Sequence, residues 1–214
     1  MSVFMLCERT LGFLAGKRLT LTENQLSMLE ALDYGGLTED KAQQEAVACA
    51  RHFGFVRDSL LFTYPWVFAR KSAALAEMSE ALPGWRHTYA LPADCLRLIE
   101  VVSSGHARLD YEVSGTSVSC DHAGVSAGYT AKSPDTAQWP ALFSDVFCAR
   151  LAAETAPSIM GEGAASVFQA MSQYAQASIG EAYRLKVIDE GPQVRAHVYQ
   201  WDGYFNDLSE RERI

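Results

Sequence analysis

Apolar positions recur at three- and four-residue steps at both ends of the chain and at two-residue steps in the middle, so the pattern predicts helices flanking a β-rich segment. Val3, Phe4, Leu6, Leu11, Phe13 and Leu14 predict a first short helix over residues 3–15, stopped by Gly16. Thr22-x-x-Gln25 is a capping box that opens a second, with Leu26, Leu29, Ala31 and Leu32 on its apolar side and Gly35-Gly36 as its stop. Thr38, followed by Glu39 and Asp40, is expected to cap the longest early helix. Its stripe is Ala42, Ala46, Cys49, Ala50, Phe53, Val56, Leu60 and Leu61, and it should end near Phe62, because Tyr64 precedes Pro65 and is pushed out of the helical region. Gly54 inside that helix suggests a close crossing with another element.

From Pro65 to about Ala131 the period shortens. Trp66, Phe68, Leu91, Leu98, Val101, Tyr111, Val113, Val118, Val125 and Tyr129 fall in brief runs parted by turn residues, which predicts a small antiparallel sheet with a hairpin at Ser114-Gly115. Trp139-Pro140 announces a return to helix. Leu142, Phe143, Val146, Phe147, Leu151 and Ala152 form one apolar face to about Thr155, with Pro157 as its end or a kink. Gly161-Glu162-Gly163 should turn the chain into a last helix over about 164–189, stopped by Gly191-Pro192. The expected fold is α+β: a helical body (1–63 and 134–190), an inserted β-lobe (64–133) and a C-terminal arm (191–214) holding Tyr199, Trp201, Tyr204 and Phe205, aromatics that suit docking on a partner.

Composition narrows the functional classes. At 49% hydrophobic and 21% charged, 214 residues can bury a substantial core. No apolar run approaches the ~20 residues that cross a bilayer, and the opening residues do not read as a signal peptide, so no membrane partner is expected. With 18 basic against 26 acidic residues the chain lacks the excess positive charge that displaces counterions from phosphates, which disfavours tight nucleic-acid binding. The five cysteines form no Cys-x-x-Cys pair and the five histidines no metal-ligand spacing, so neither metal nor other cofactor is expected. Asp94-Cys95 with His87 nearby could be a thiol and its base, but a turn followed by a buried cysteine is the stronger expectation. Trp66, Trp85 and Trp139 could stack on sugars or bases, yet aromatics beside proline at element junctions more often clamp a core.

Three segments in a fixed order carry a family likeness: Pro65-Trp66-x-Phe68-Ala69-x-Lys71; Trp85-x-x-x-Tyr89-Ala90-Leu91-Pro92-Ala93-Asp94-Cys95-Leu96-Arg97; and Trp139-Pro140-x-x-Phe143. Together they resemble the head-to-tail connector, or adaptor, proteins of tailed bacteriophages, also called tail tubular protein A-like, over roughly residues 38–190. That resemblance implies a non-enzymatic structural subunit, assembled in the host cytoplasm and resident at the virion's head-tail junction. It also implies a ring, dodecameric in the family, that binds the portal protein above and the tail nozzle or next connector below, with double-stranded DNA passing through its lumen without tight binding. The other classes held open are a Cys-dependent enzyme and a prophage DNA-binding module.

Overall fold

The computed structural model describes residues 1–14, 18–39, 43–79, 82–105, 107–132, 135–161 and 163–185. Helices α1 (Val3–Phe13), α2 (Glu23–Glu30), α3 (Tyr34–Glu39) and α4 (Gln44–Thr63) come first, and α5 (Ala141–Met160) and α6 (Ala164–Arg184) come last. Between them lie β1 (Arg70–Ala74), β2 (Ala76–Glu77), β3 (His87–Ala90), β4 (Cys95–Val102), β5 (Glu112–Ser114), β6 (Ser117–Cys120) and β7 (Ser126–Ala131). The α+β class expected from the pattern is the class observed.

Capping chemistry explains both the agreements and the departures at the start of the chain. The predicted box forms: the Thr22 side chain accepts from the Gln25 N–H, and the Gln25 side chain reaches back to the Thr22 N–H. Gly35 and Gly36 do not stop α2. It ends at Glu30, Leu32 just beyond it takes a left-handed φ of 58°, and both glycines lie inside α3, where the Asp33 carboxylate accepts from the Gly36 N–H. Thr38 is consumed by that short helix, so α4 starts later, at Gln44, with no side-chain cap. Its end is as expected, with Tyr64 extended at φ −118° and ψ 135° before Pro65. Gly54 meets no other element, since no heavy atom outside its helix lies within 4 Å of where a Cβ would sit.

Pro157 neither ends nor splits α5, which runs on to Met160. The flanking Ala152, Ala153 and Ala156 are fully buried, and this packing outweighs the ~3 kcal/mol cost of an interior proline. Gly161 and Gly163, both at positive φ, then make the expected turn into α6. Helix α5 is the centre of the body, with α1, α4 and α6 packed around it. The expected continuation of the last helix to residue 189 and its stop at Gly191-Pro192 lie outside the described residues.

The β-lobe holds two antiparallel sheets where a single one was expected: β1-β7-β4 and β2-β3-β6-β5. The chain passes from the first to the second at Leu75, whose N–H donates to the Val125 carbonyl, so β1 and β2 behave as one strand that changes sheet at a corner. Tyr89, Val101, Val118, Cys120 and Val125 fill the space between the sheets, with Leu75, Leu91 and Leu98 packed on them. The hairpin forms between β5 and β6, with Ser114 opposite Ser117 and Gly115 at φ 60° in the two-residue loop.

Candidate functional site

The first and third motif segments meet in one aromatic cluster. Trp66 and Ala69 are buried with the helices although they belong to the inserted segment, and Phe68 packs against them. Phe143, one turn into α5, is the hub. The rings of Trp66, Phe68 and Trp139 approach it edge-on, with centroids at 4.8, 4.9 and 4.8 Å, a geometry that sets ring edges against π faces. Phe53 and Phe147 extend the cluster, 4.7 Å apart. The indole N–H of Trp66 donates to the Leu60 carbonyl at 3.1 Å, which ties the residue after Pro65 to the last turn of α4. Pro65 and Pro140, both half-buried, stand where the chain leaves α4 and enters α5. The tryptophans that could have stacked on sugars or bases at positions 66 and 139 are therefore core clamps.

The second segment joins the first through charge. Lys71 Nζ lies 2.8 Å from Asp94 Oδ2, and the Tyr129 hydroxyl donates to Asp94 Oδ1 at 3.0 Å. The Lys71 ammonium holds the Asp94 carboxyl below its ordinary range, with the Tyr129 hydrogen bond acting in the same direction against partial burial. Tyr89 is buried in the lobe core with its hydroxyl donating to the His122 carbonyl at 2.8 Å. Trp85 is half-buried, its indole donating to Glu112 Oε2 at 2.7 Å. The Pro92-Ala93-Asp94-Cys95 turn forms as expected, closed by the Cys95 N–H on the Pro92 carbonyl.

Beside this turn runs a groove of about 680 Å³, walled by Phe62 at the end of α4, by Leu91, Cys95, Leu96 and Leu98 and by Tyr111 and Val113. Its lining is largely apolar, and Phe62 and Val113 are 56% and 48% exposed. Cys95 lines it and is half-buried, where a buried thiol was expected; Cys7, Cys49, Cys120 and Cys148 are buried. Desolvation, and then the Asp94 charge, push the Cys95 thiol above its usual pKa. Such a thiol is a poor nucleophile. The imagined base does not face it: His87 sits on the other sheet, its Nδ1 2.6 Å from Glu77 Oε1.

The groove and the exposed ring of Phe55, 67% accessible, escaped the motif-based reading. A signal was present, because Phe55 and Phe62 stand seven residues apart and off the apolar stripe of α4. Tyr199, Trp201, Tyr204 and Phe205 lie outside the described residues, as does any portal or subunit contact made through them. No described helix is long and apolar enough to cross a membrane. No protein-family model matches this chain, and no curated protein sequence matches it.

Proposed function

We propose that the protein is a structural subunit of a bacteriophage head-to-tail connector. Copies close into a ring, dodecameric as in the family it resembles, under the portal at the head-tail junction. The ring carries the tail nozzle or next connector, and its channel holds DNA until ejection. The observation that carries this reading is the placement of exposed apolar side chains on two helices of one body. Phe55 is exposed on α4, Phe168 and Tyr174 on α6, and α5 is packed against both helices. A ring built head to tail needs two different surfaces on each subunit, and exposed apolar side chains on two separate helices offer a starting point for each. The net charge of −8 fits a channel wall past which DNA slides without being held.

Electron microscopy of the protein mixed with a purified portal tests the assignment. Twelve-fold density capping the portal is the expected result, with mainly monomer in sedimentation when the portal is left out. A stable dimer burying well over ~2,000 Å² and leaving the portal bare would overturn it. Phe55→Glu should abolish ring density while leaving the melting temperature unchanged, because the ring of Phe55 has little intramolecular packing to lose.

A further inference from the structure

The groove beside the Pro92–Cys95 turn lies near the point where the C-terminal segment leaves the body. Helix α6 ends at Arg184, and the ring of Tyr183 meets that of Tyr64 edge-on with centroids 6.4 Å apart. Tyr64 is the residue that terminates α4, two positions after the groove wall Phe62. Residues 186–198 then precede the run Tyr199-Gln200-Trp201-Asp202-Gly203-Tyr204-Phe205. Fully extended, that connection spans about 45 Å at ~3.5 Å per residue, enough to return the aromatic run to Phe62 with slack.

Chemistry and size agree with this path. A cleft of about 680 Å³ falls within the ~300–1,000 Å³ range of ligand sites, room for aromatic side chains rather than for a folded partner. Its walls, Phe62, Leu91, Leu98, Tyr111 and Val113, are apolar or aromatic. At its edge stands the exposed side chain of Arg97, donating to the Phe62 carbonyl, a cation suited to the carboxylate of Asp202 beside Trp201. We infer that this groove is an intramolecular dock for the chain's own C-terminal segment, with Trp201 and its aromatic neighbours seated between Phe62 and the β4–β5 side of the lobe. A tethered ligand of this kind meets its site at millimolar effective concentration, so modest contacts suffice to keep it bound. Docking also removes the exposed Phe62 ring from water, and the inference holds whether or not the subunit forms rings.

Cys95 supplies the reporter, being half-buried in the groove while the other four thiols are buried. In the full-length chain carrying Trp201→Cys, oxidation with copper–phenanthroline at dilute protein should give a disulfide between Cys95 and the introduced thiol, located by peptide mass mapping in the monomer band. In the unaltered thiol background, replacing Trp201, Tyr204 and Phe205 by Ser should speed iodoacetamide labelling of Cys95 by about tenfold, as expected when a segment bound at such effective concentrations is released. Phe62→Glu should produce the same acceleration with the segment intact, which covers the case in which the triple variant misfolds. Disulfide appearing only between two chains would assign the groove to a second copy's segment and overturn the inference. Unchanged Cys95 labelling in both variants would overturn it equally.

Discussion

The helical body and the β-lobe of this chain are held together by different physics. The body has a continuous apolar core from Val3 on α1 to Ala182 on α6. Two of its buried hydroxyls, those of Thr10 and Thr155, donate to carbonyls of their own helices, at Leu6 and Leu151. Helices satisfy their backbones internally, so such a core can be almost wholly apolar. The lobe has far fewer buried apolar side chains to share between two sheets. Specific polar contacts tie its strands and loops: Thr88 to Ser119 across β3 and β6, Tyr89 to the His122 carbonyl, and Glu100 held by Arg70 at 2.9 Å and Arg108 at 2.8 Å. Shape complementarity maintains one region. In the other, identity and register of polar groups matter more.

If that contrast is right, the largest effects should come from the aromatic cluster. Trp66→Ala is expected to cost ~3–5 kcal/mol in chemical denaturation, since it removes a large side chain only 1% exposed and the donor to Leu60. A loss below ~1 kcal/mol would take Trp66 out of the core. The two clamps should also differ from each other. The Trp66 N–H is bonded, whereas the buried Trp139 N–H has no partner among the described residues, so indole-to-phenyl replacement should be milder at Trp139 than at Trp66.

The lobe should break at smaller cost and through a chain of polar contacts. Glu100→Ala removes the carboxylate that pairs with both Arg70 and Arg108 and is expected to cost ~1–3 kcal/mol. Gly128 lies under that carboxylate, and a Cβ there would meet Glu100 Cγ at 3.0 Å. Gly128→Ala should therefore destabilise the wild type, by displacing Glu100 from Arg70, yet cost much less in the Glu100→Ala background. Additive effects of the two substitutions would show that Gly128 and Glu100 act independently.

This contrast also decides what could be read from the residues. The core stripe of α4, the Thr22 capping box, the Gly115 hairpin and the turn at Pro92 are local patterns, each carried by residues within one or two turns of each other. What escaped was non-local. Glu30 caps α1 from another helix, accepting from the N–H groups of Val3 and Phe4, and no spacing rule couples those positions. The split into two sheets depends on a corner at Leu75, which looks like ordinary strand in sequence. Pro157 does not end α5 because its cost is offset by burial contributed by distant helices. Of the motif residues, the sequence located the aromatic clamps but not the Lys71–Asp94–Tyr129 link, and the groove only exists once α4 is laid beside β4 and β5.

Backbone entropy in the body provides a gain of intermediate size. Gly54 lies in the interior of α4 with open space where a methyl group would go. Gly54→Ala should stabilise the protein by about 1 kcal/mol through helix propensity alone. Destabilisation instead would point to a partner approaching α4 closely at this position.

The smallest effect belongs to the ion pair that joins the first two motif segments, and it is separable by pH. The side chains of Lys71 and Asp94 are 57% and 38% exposed, so solvent screening keeps the pair under ~1 kcal/mol. Because Asp94 has a lowered pKa in the folded protein, caused first by Lys71, its contribution is fully present above the unfolded carboxylate value near ~3.9 and is lost as pH falls through the lower folded value. Lys71→Met should accordingly be less stable than the wild type at neutral pH, and the gap should close in strongly acidic solution once Asp94 is protonated. In the Asp94→Asn background the same Lys71 substitution should have almost no effect at either pH. A gap that persists unchanged into acid, or survives Asp94→Asn, would mean that Lys71 acts through its aliphatic stem against the sheet rather than through its charge.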